Sequence, residues 1–356
     1  MDKIKVVQVG CGKMAKYAMR YVFEKGATVV GAVDVKSNVI GKDISTIMGG
    51  ESRGVVIKSV NDLGSILDEL RPDICIVMTM SLVSDLEGVL KTIVTHKVNA
   101  ITTCEEAFYS ENSNKLVFDE IDKLAKENNV TVTGGGYQDI FWGNLISVIA
   151  GSTHNITKIK GSSSYNVEDY GIALAEVHGA GLTLTDFDSK IAKPSELSEE
   201  AIKEKVNNGT FAPSYMWNTC GWLADKFNLH ITSMNQKCIP MTNTKNIHST
   251  TLNMDILAGN ATGMSAVVTA QTKEGIELVA ECIGKVYDET EFDQNEWTIY
   301  GEPDTTVIVN KPQTVELTCA DIVNRIPDVI KAKPGFIPTS QMNDPKYRLD
   351  SLETYL

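Results

Sequence analysis

The 356-residue sequence lacks several features that assign chains to particular protein classes. No apolar run approaches the length of a membrane span, because the longest apolar stretches are strand-sized. No C-x-x-C pair occurs among the seven cysteines, which are scattered at positions 11, 75, 104, 220, 238, 282 and 319. This scatter disfavours a zinc site and fits a reducing compartment. The sequence therefore predicts a protein with no metal site and no membrane partner.

Positive charge is also scarce. Lysine and arginine total 33 against 46 aspartate and glutamate residues, a formal net charge of −13. Such a balance argues against a nucleic-acid partner or an anionic membrane surface. The five histidines form no metal-ligand cluster or nucleophile triad. The chain enters a strand immediately after its first residues, with no signal-peptide core, and we predict a cytoplasmic protein.

What is present is typical of a globular enzyme. Apolar residues make up 42% of the chain and charged residues 22%. The length favours two domains over one or three. The sequence contains no internal repeat and no low-complexity segment.

A glycine-rich turn follows the first apolar strand, residues 4–9. The turn reads Gly10-Cys11-Gly12-Lys13-Met14-Ala15, a G-x-G-x-x-A pattern, and a second apolar strand ends at Asp34. Gly10 permits the tight turn, Gly12 lets the backbone approach a pyrophosphate, and Ala15 allows close helix-to-strand packing. A carboxylate at the position of Asp34 accepts hydrogen bonds from a ribose 2′-hydroxyl. The motif predicts a dinucleotide site containing Gly10, Gly12, Lys13, Met14 and Asp34.

Strand and helix patterns alternate through the first half of the chain and predict an α/β fold with a doubly wound parallel sheet. After residue 137, long β-rich stretches separated by turns predict a large, mostly antiparallel sheet with helices near 197–208 and 213–226. We place the dinucleotide-binding domain at 1–137, completed by a returning helix at about 312–335. The substrate domain is placed at 138–311 and a C-terminal arm at 336–356.

Three further segments follow strands of the predicted parallel sheet. Ligands of such sheets bind beyond the carboxyl ends of the strands, so these segments are expected to line the same site. For the cofactor they offer Thr79, Met80, Ser81 and Cys104. The remaining candidates are the acidic pair Glu105 and Glu106 and a pocket of Gln138, Phe141 and Trp142.

Other interpretations of these residues stay open. Glu105 and Glu106 also suit a helix N-terminus, where carboxylates meet the positive end of the dipole. The segment from Tyr137 to Trp142 also suits the start of a core helix. His178 is either a loop residue that reaches substrate or a structural hydrogen bonder. Lys158 and Lys160 are either anchors for a substrate carboxylate or solvated strand residues.

The glycine turn, the run Thr102-Thr103-Cys104-Glu105-Glu106-Ala107-Phe108 and the turn Gly134-Gly135-Gly136-Tyr137 resemble the 2,4-diaminopentanoate dehydrogenases and native amine dehydrogenases. The resemblance implies a dihydrodipicolinate-reductase-like architecture, with a Rossmann domain and an α+β domain that binds substrate and forms a homodimer. It also implies reversible oxidative deamination of a small amine to a ketone and ammonia with NAD(H) or NADP(H).

By its place in the motif, Glu105 corresponds to the catalytic glutamate of that family and Trp142 to an aromatic residue of its substrate pocket. A solvated Glu106 would stay ionised and structural. The family's Gly-x-Asn-Pro-Gly-like segment is replaced here by Tyr137-Gln138-Asp139-Ile140-Phe141, which favours the broader amine dehydrogenase branch. Asp34 favours NAD over NADP, because a 2′-phosphate would face a carboxylate. The alternatives are an imine or carbonyl reductase of the same architecture and a non-catalytic dinucleotide sensor.

Overall fold

The structure is a computed structural model that describes residues 3–356. In this range the chain forms two compact units, the first made of residues up to 144 together with 206–211 and 313–356. The second unit comprises residues 145–205 and 212–312. Among the described residues, no helix combines the length and apolar character needed to cross a bilayer.

The strands and α-helices of the two units are numbered here in the order in which they occur along the chain. The strands are β1 (Lys5–Val9), β2 (Thr28–Asp34), β3 (Ile57–Ser59), β4 (Ile74–Val77), β5 (Asn99–Thr102), β6 (Thr131–Gly134), β7 (Asn155–Asn166), β8 (Ile231–Thr242), β9 (Ile247–Ser249), β10 (Met254–Ile256), β11 (Ala261–Thr272), β12 (Glu277–Lys285), β13 (Gln294–Glu302), β14 (Thr305–Asn310) and β15 (Gly335–Phe336). The α-helices are α1 (Ala15–Glu24), α2 (Ser45–Met48), α3 (Leu63–Leu70), α4 (Val83–Thr95), α5 (Lys115–Glu127), α6 (Leu145–Ala150), α7 (Ile172–Val177), α8 (Leu184–Phe187), α9 (Lys193–Ser195), α10 (Glu199–Asn207), α11 (Tyr215–Phe227) and α12 (Thr314–Lys331).

The first unit is built on a parallel sheet in the order β15-β6-β5-β4-β1-β2-β3. Its strands are continuous apolar runs because both faces are covered by helices. Side chains of α3, α4 and α5 pack on one face, and those of α1 and α12 pack on the other. The predicted doubly wound parallel sheet is confirmed.

Helix α12 returns to this sheet late in the chain. Its apolar residues Ile322, Val323, Ile326 and Val329 are at most 1% exposed and join the core beneath the sheet. Pro327 lies inside the helix near its end. The following segment also packs on the first unit, because Leu352 is fully buried and its backbone N–H donates to the Lys25 carbonyl.

The second unit contains a mixed sheet in the order β14-β13-β7-β12-β11-β8. Only the β7–β12 pair is parallel among the pairings within this described sheet, which confirms a mostly antiparallel arrangement. Burial alternates along β12, with even-numbered residues from Leu278 to Gly284 buried, as a sheet with one covered face requires. The segment between residues 167 and 195 forms short helical turns that the sequence patterns did not predict.

Candidate functional site

The glycine turn joins β1 to α1 in a geometry that suits a dinucleotide. Gly10 has a φ of +87°, and a Cβ there would lie 2.5 Å from the Met78 carbonyl oxygen. A Cβ on Gly12 would meet no atom within 4 Å, so this position faces open space. Helix α1 has no side-chain cap and no acidic residue in its first turn. Its N-terminal amides therefore suit an anionic group, and the turn fits a pyrophosphate.

Two side chains hold the peptide between Gly10 and Cys11 at both of its ends. Gln8 Nε2 donates to the Gly10 carbonyl at 2.9 Å, and the Cys11 N–H donates to Asp34 Oδ2 at 2.6 Å. Asp34 Oδ1 accepts from the Lys36 N–H at 2.8 Å. Each carboxylate oxygen has a second lone pair that can accept from a hydroxyl. Asp34 is thus part of the turn, and Gln8 is a site residue that the motif did not indicate.

The segments after β4 and β5 lie beside this turn because β4 pairs with β1 on one side and β5 on the other. Thr79 and Met80 are exposed and Ser81 is partly buried. Cys104 is fully buried, and burial raises the pKa of its thiol well above the ordinary value. The Cys104 side chain is therefore inert, and only its backbone could face a ligand.

Glu105 and Glu106 have different surroundings although they are adjacent. Glu105 is partly buried. Burial raises the pKa of its carboxyl group, and a hydrogen bond with Ser81 opposes that shift without cancelling it. A carboxyl group with a raised pKa binds a proton more tightly than one in water, which suits a proton-transfer residue at the carboxyl edge of this sheet.

Glu106 caps the N-terminus of α4. Its Oε2 accepts from the Val83 N–H at 2.8 Å, and its Oε1 accepts from Ser113 Oγ at 2.7 Å. Glu106 is only 2% exposed, and burial raises the pKa of its carboxyl group. The expectation of a solvated Glu106 is therefore wrong, since the α4 amide and the Ser113 hydroxyl replace water. The helix-start interpretation applies to this member of the pair.

An aromatic cluster follows β6. The Tyr137 and Phe141 rings stack with centroids 4.5 Å apart, and the Trp142 ring meets Tyr137 edge-on at 5.9 Å. The chain from Asp139 to Asn144 is a π-helical turn, where the sequence predicts an ordinary helix start. Within residues 3–356, Gln138 Nε2 and Trp142 Nε1 are buried donors with no hydrogen-bond partner. Apolar rings with two available donors suit a small polar ligand.

His178 lies in the second unit. Its Nδ1 is 2.8 Å from the Leu174 carbonyl oxygen and its Nε2 is 2.6 Å from the Tyr165 hydroxyl. Burial lowers the pKa of its imidazole. Both ring nitrogens are thus engaged by this unit's own residues.

The two candidate anchors for a substrate carboxylate have acidic partners. Lys158 Nζ lies 2.7 Å from Glu277, and Lys160 Nζ lies 3.6 Å from Glu281. Over the described part of the chain, no three histidine, cysteine, aspartate or glutamate side chains are grouped as a metal ion would need.

Known proteins resemble the whole of this arrangement. A sequence model of the 2,4-diaminopentanoate dehydrogenase C-terminal domain matches residues 141–355. A 2,4-diaminopentanoate dehydrogenase from Acetoanaerobium sticklandii is 23% identical over 343 residues, covering 94% of this chain and 92% of that protein. An amine dehydrogenase structure from Mycobacterium smegmatis matches with a TM-score of 0.82 and 30% identity over 98% of each chain. A probable dehydrogenase from Thermotoga maritima shares the fold, with a TM-score of 0.60 and 10% identity over 99% of this chain and 92% of that one.

Proposed function

Since the chain belongs to the 2,4-diaminopentanoate dehydrogenase family of oxidoreductases, we propose that it is an NAD(P)-dependent amine dehydrogenase with Glu105 as its proton-transfer residue. The substrate is a small amine, or an amino acid that loses an amino group away from its α-carbon, with 2,4-diaminopentanoate or a similar amine as the candidate. The reverse reaction is the reductive amination of a ketone with ammonia. The observation that carries the proposal is the position of Glu105, which follows β5 and is hydrogen-bonded to Ser81 after β4, at the same edge of the sheet as the glycine turn after β1.

The glycine turn holds the cofactor in this proposal. The α1 amides and the open space at Gly12 receive the pyrophosphate, with Lys13 and Met14 alongside. The free lone pairs of Asp34 accept from the adenosine ribose. A 2′-phosphate would face this carboxylate, so NAD is the preferred cofactor and NADP the weaker one.

The segments at the carboxyl edge take the nicotinamide end of the cofactor. Thr79, Met80, Ser81 and the Cys104 backbone are assigned to it. When bound, the nicotinamide supplies hydride transfer, which the protein's own side chains do not provide.

Glu105 moves the protons. A substrate ammonium must lose a proton before its carbon can give up hydride, and the Glu105 carboxylate accepts that proton. Glu105 then passes that proton to solvent, and the regenerated carboxylate takes a proton from the water that attacks the iminium carbon. It returns this proton to the amino group, which leaves as ammonia while the new hydroxyl loses its proton to solvent and becomes the ketone oxygen. The raised pKa of Glu105 brings its proton affinity nearer to the working pH, which favours general acid–base catalysis. Glu106 takes no part, because its two oxygens hold Val83 and Ser113.

The aromatic cluster supplies the substrate pocket. Phe141 and Trp142 provide apolar surface, and the available donors of Gln138 and Trp142 orient a polar substituent. His178 remains a pocket candidate from the sequence alone, and its two ring nitrogens are engaged by Leu174 and Tyr165 of its own unit.

A homodimer formed through the second-unit sheet is part of the proposal. The face that carries Ile239 and Ile308 leaves these side chains 47% and 49% exposed. Strand pairing places Val267, Val279 and Ile283 on the same face. The face combines exposed Ile239 and Ile308 with partly buried aliphatic residues and with charged ones such as Lys160 and Glu296, and a mixed face of this kind suits a second copy of itself.

The test is oxidation of NADH and of NADPH with excess ammonium and a panel of ketones, each repeated without ammonium. We expect ammonium-dependent turnover in the wild type. Glu105→Gln should lose most turnover while binding NADH with unchanged affinity, and the matched control Glu111→Gln changes an exposed carboxylate nearby. Turnover without ammonium would instead identify a carbonyl or imine reductase, and cofactor binding with no turnover on any ketone would favour a sensor.

A further inference from the structure

Three polar residues form one stripe on α12. Thr318, Asp321 and Arg325 are spaced three and four residues apart, so they lie on the same face of the helix. Residues 136–139, directly after β6, contact this stripe. The Tyr137 N–H donates to Thr318 Oγ1 at 3.2 Å, and the Gly136 N–H donates to Asp321 Oδ2 at 2.8 Å.

The third contact of the stripe is an ion pair closed off from water. Arg325 Nε lies 2.7 Å from Asp139 Oδ2, and neither side chain has any exposed surface. Asn144 Nδ2 in turn donates to both the carbonyl and Oδ1 of Asp139, each at 2.9 Å. Asp139 therefore fixes the first and last residues of the π-helical turn that carries Phe141 and Trp142.

The backbone of this segment lies directly against the helix. Gly136 has a φ of +109°, and a Cβ there would lie 2.8 Å from Thr318 Cγ2. Only a residue without a side chain fits this approach. A shift of α12 would therefore move the backbone that bears the stacked rings of Tyr137 and Phe141.

We propose that Thr318, Asp321 and Arg325 are positioning residues that set the shape of the aromatic pocket and hence its selectivity for the substrate. The inference rests on the proposed function, because the aromatic cluster is a substrate pocket only under that assignment. Helix α12 contacts the glycine turn through Cys319, whose Sγ donates to the Met14 carbonyl at 3.3 Å. Within residues 3–356 the stripe itself makes no hydrogen bond or ion pair with Gly12 or Glu105. Its effect is therefore on substrate binding rather than on cofactor binding.

The charge state of Asp321 provides a matched control. Burial raises the pKa of Asp321 well above its ordinary value, the Asp139 carboxylate raises it further, and Arg325 only partly opposes this. Asp321 is thus favoured as the neutral acid, whose carbonyl oxygen accepts from Gly136. Asparagine is also neutral and presents the same acceptor, whereas leucine has a similar volume and no acceptor.

The experiment compares Asp321→Asn with Asp321→Leu in the full-length protein. We expect Asp321→Leu to raise the KM for the ketone or amine about tenfold, from the loss of one buried hydrogen bond, with the NADH dissociation constant unchanged. Asp321→Asn keeps the acceptor for the Gly136 N–H and should have the same KM as the wild type. A loss of melting temperature and kcat with an unchanged KM would show that the stripe is only structural and would overturn the inference.

A second measurement does not depend on turnover. Hydrogen exchange of the amides at 136–144 should be faster in Asp321→Leu than in Asp321→Asn, with α1 and the glycine turn unchanged. Equal exchange in the two variants would reject the positioning role. A wild type that turns over no amine or ketone, but shows the expected difference in exchange, would reject the pocket assignment and leave the positioning of the segment established.

Discussion

At the scale of single residues, the peptide between Gly10 and Cys11 links cofactor recognition to the shape of the turn. Asp34 accepts the Cys11 N–H of the turn on Oδ2 and the N–H of Lys36, which follows β2, on Oδ1, while it is proposed to bind ribose. Gln8 acts on the other end of the same peptide but lies away from the ribose position, since it is fully buried in β1. The effects of the two side chains on cofactor binding can therefore be distinguished by mutating each one alone.

Asp34→Asn replaces one accepting oxygen by a donor and removes the charge. We expect NADH to bind about tenfold more weakly, with NADPH affected much less because the repulsion of its 2′-phosphate is also removed. Gln8→Met keeps the side-chain length and removes the hydrogen bonds of Nε2 to the Gly10 and Val9 carbonyls, so the binding of both cofactors should weaken by a similar, smaller factor. Fluorescence titration of each variant with each cofactor measures this. If the ratio of the NADH and NADPH dissociation constants is the same in Asp34→Asn as in the wild type, Asp34 does not bind the ribose.

Ser81 tunes the proton affinity of Glu105. Its hydrogen bond lowers the pKa of a carboxyl group that burial has raised. Ser81→Ala should therefore raise that pKa further, so that the acid limb of the pH profile for amine oxidation moves to higher pH. The profile of kcat/KM against pH shows the shift, and Ser152→Ala, an exposed serine of the second unit, is the control. If the acid limb of the pH profile does not move in Ser81→Ala, that limb reports the titration of a group other than Glu105.

At the scale of elements, Glu106 stabilises the N-terminus of α4 by accepting the N–H of its first residue, Val83. Glu106→Ala leaves the buried Val83 N–H and Ser113 hydroxyl without this acceptor, and we expect a loss of about 1–3 kcal/mol in the free energy of unfolding. Glu106→Gln keeps one acceptor and should lose less. Denaturant unfolding of both variants tests this, with Glu111→Ala as an exposed control. A loss of turnover in Glu106→Gln at unchanged stability would instead give Glu106 a chemical role.

The sequence predicts elements where the signal is local. Continuous apolar runs identify β1, β4 and β5, and the spacing of Val117, Ile121 and Leu124 identifies α5, whereas Leu116, also expected to face inward, is 56% exposed. The short helical turns between residues 167 and 195 show no such period, because each is too short for an apolar spacing to repeat. The two-residue strand β15 is defined by its pairing with β6 rather than by its own residues.

The candidate site is predictable to the same extent. The glycine turn and the acidic pair are visible as motifs, but the burial that separates Glu105 from Glu106 is not. The Asp139–Arg325 pair joins residues 186 positions apart, and nothing near either residue in the sequence indicates the other. The π-helical turn depends on that pair and on Asn144, so the helix pattern alone predicted an ordinary start.

At the scale of the whole molecule, buried carboxyl groups give stability a definite pH dependence. Burial raises the pKa of Glu105, Glu106 and Asp321 in the folded state above their values in the unfolded chain. Acids with raised folded-state pKa values bind more protons when folded, so their contribution to stability is complete below the unfolded pKa. It is then lost as the pH rises through the folded pKa.

We therefore expect these three groups to make the melting temperature fall over the pH range above the ordinary pKa of a carboxyl group. Asp321→Asn removes one of them, so this variant should show a smaller fall than the wild type. Thermal unfolding across that range, with Asp350→Asn as an exposed carboxyl control, measures the difference. Parallel curves for wild type and Asp321→Asn would mean that Asp321 titrates as it does in water.

The proposed homodimer is testable on the open sheet face. Ile308→Glu places a second negative charge beside its cross-strand partner Glu296, on the face that a second copy would cover. We expect the wild type to elute at twice the chain mass by light scattering and Ile308→Glu to shift toward the monomer. Ser152→Glu adds the same charge at an exposed position of the same unit and should stay dimeric. A monomeric wild type would remove the dimer from the proposal.

The division of the first unit among separate stretches of chain has a consequence for the order of events on the ribosome. The glycine turn and Glu105 leave the exit tunnel early, but α12, which covers one face of their sheet, is synthesised after the whole of the second unit. Until then Ile76 and Ile101 lack the side chains of Ile322 and Ile326 that bury them. Domains usually fold in the order of synthesis. Here the second unit can fold before α12 has been synthesised, and α12 is the helix that completes the hydrophobic core of the first unit.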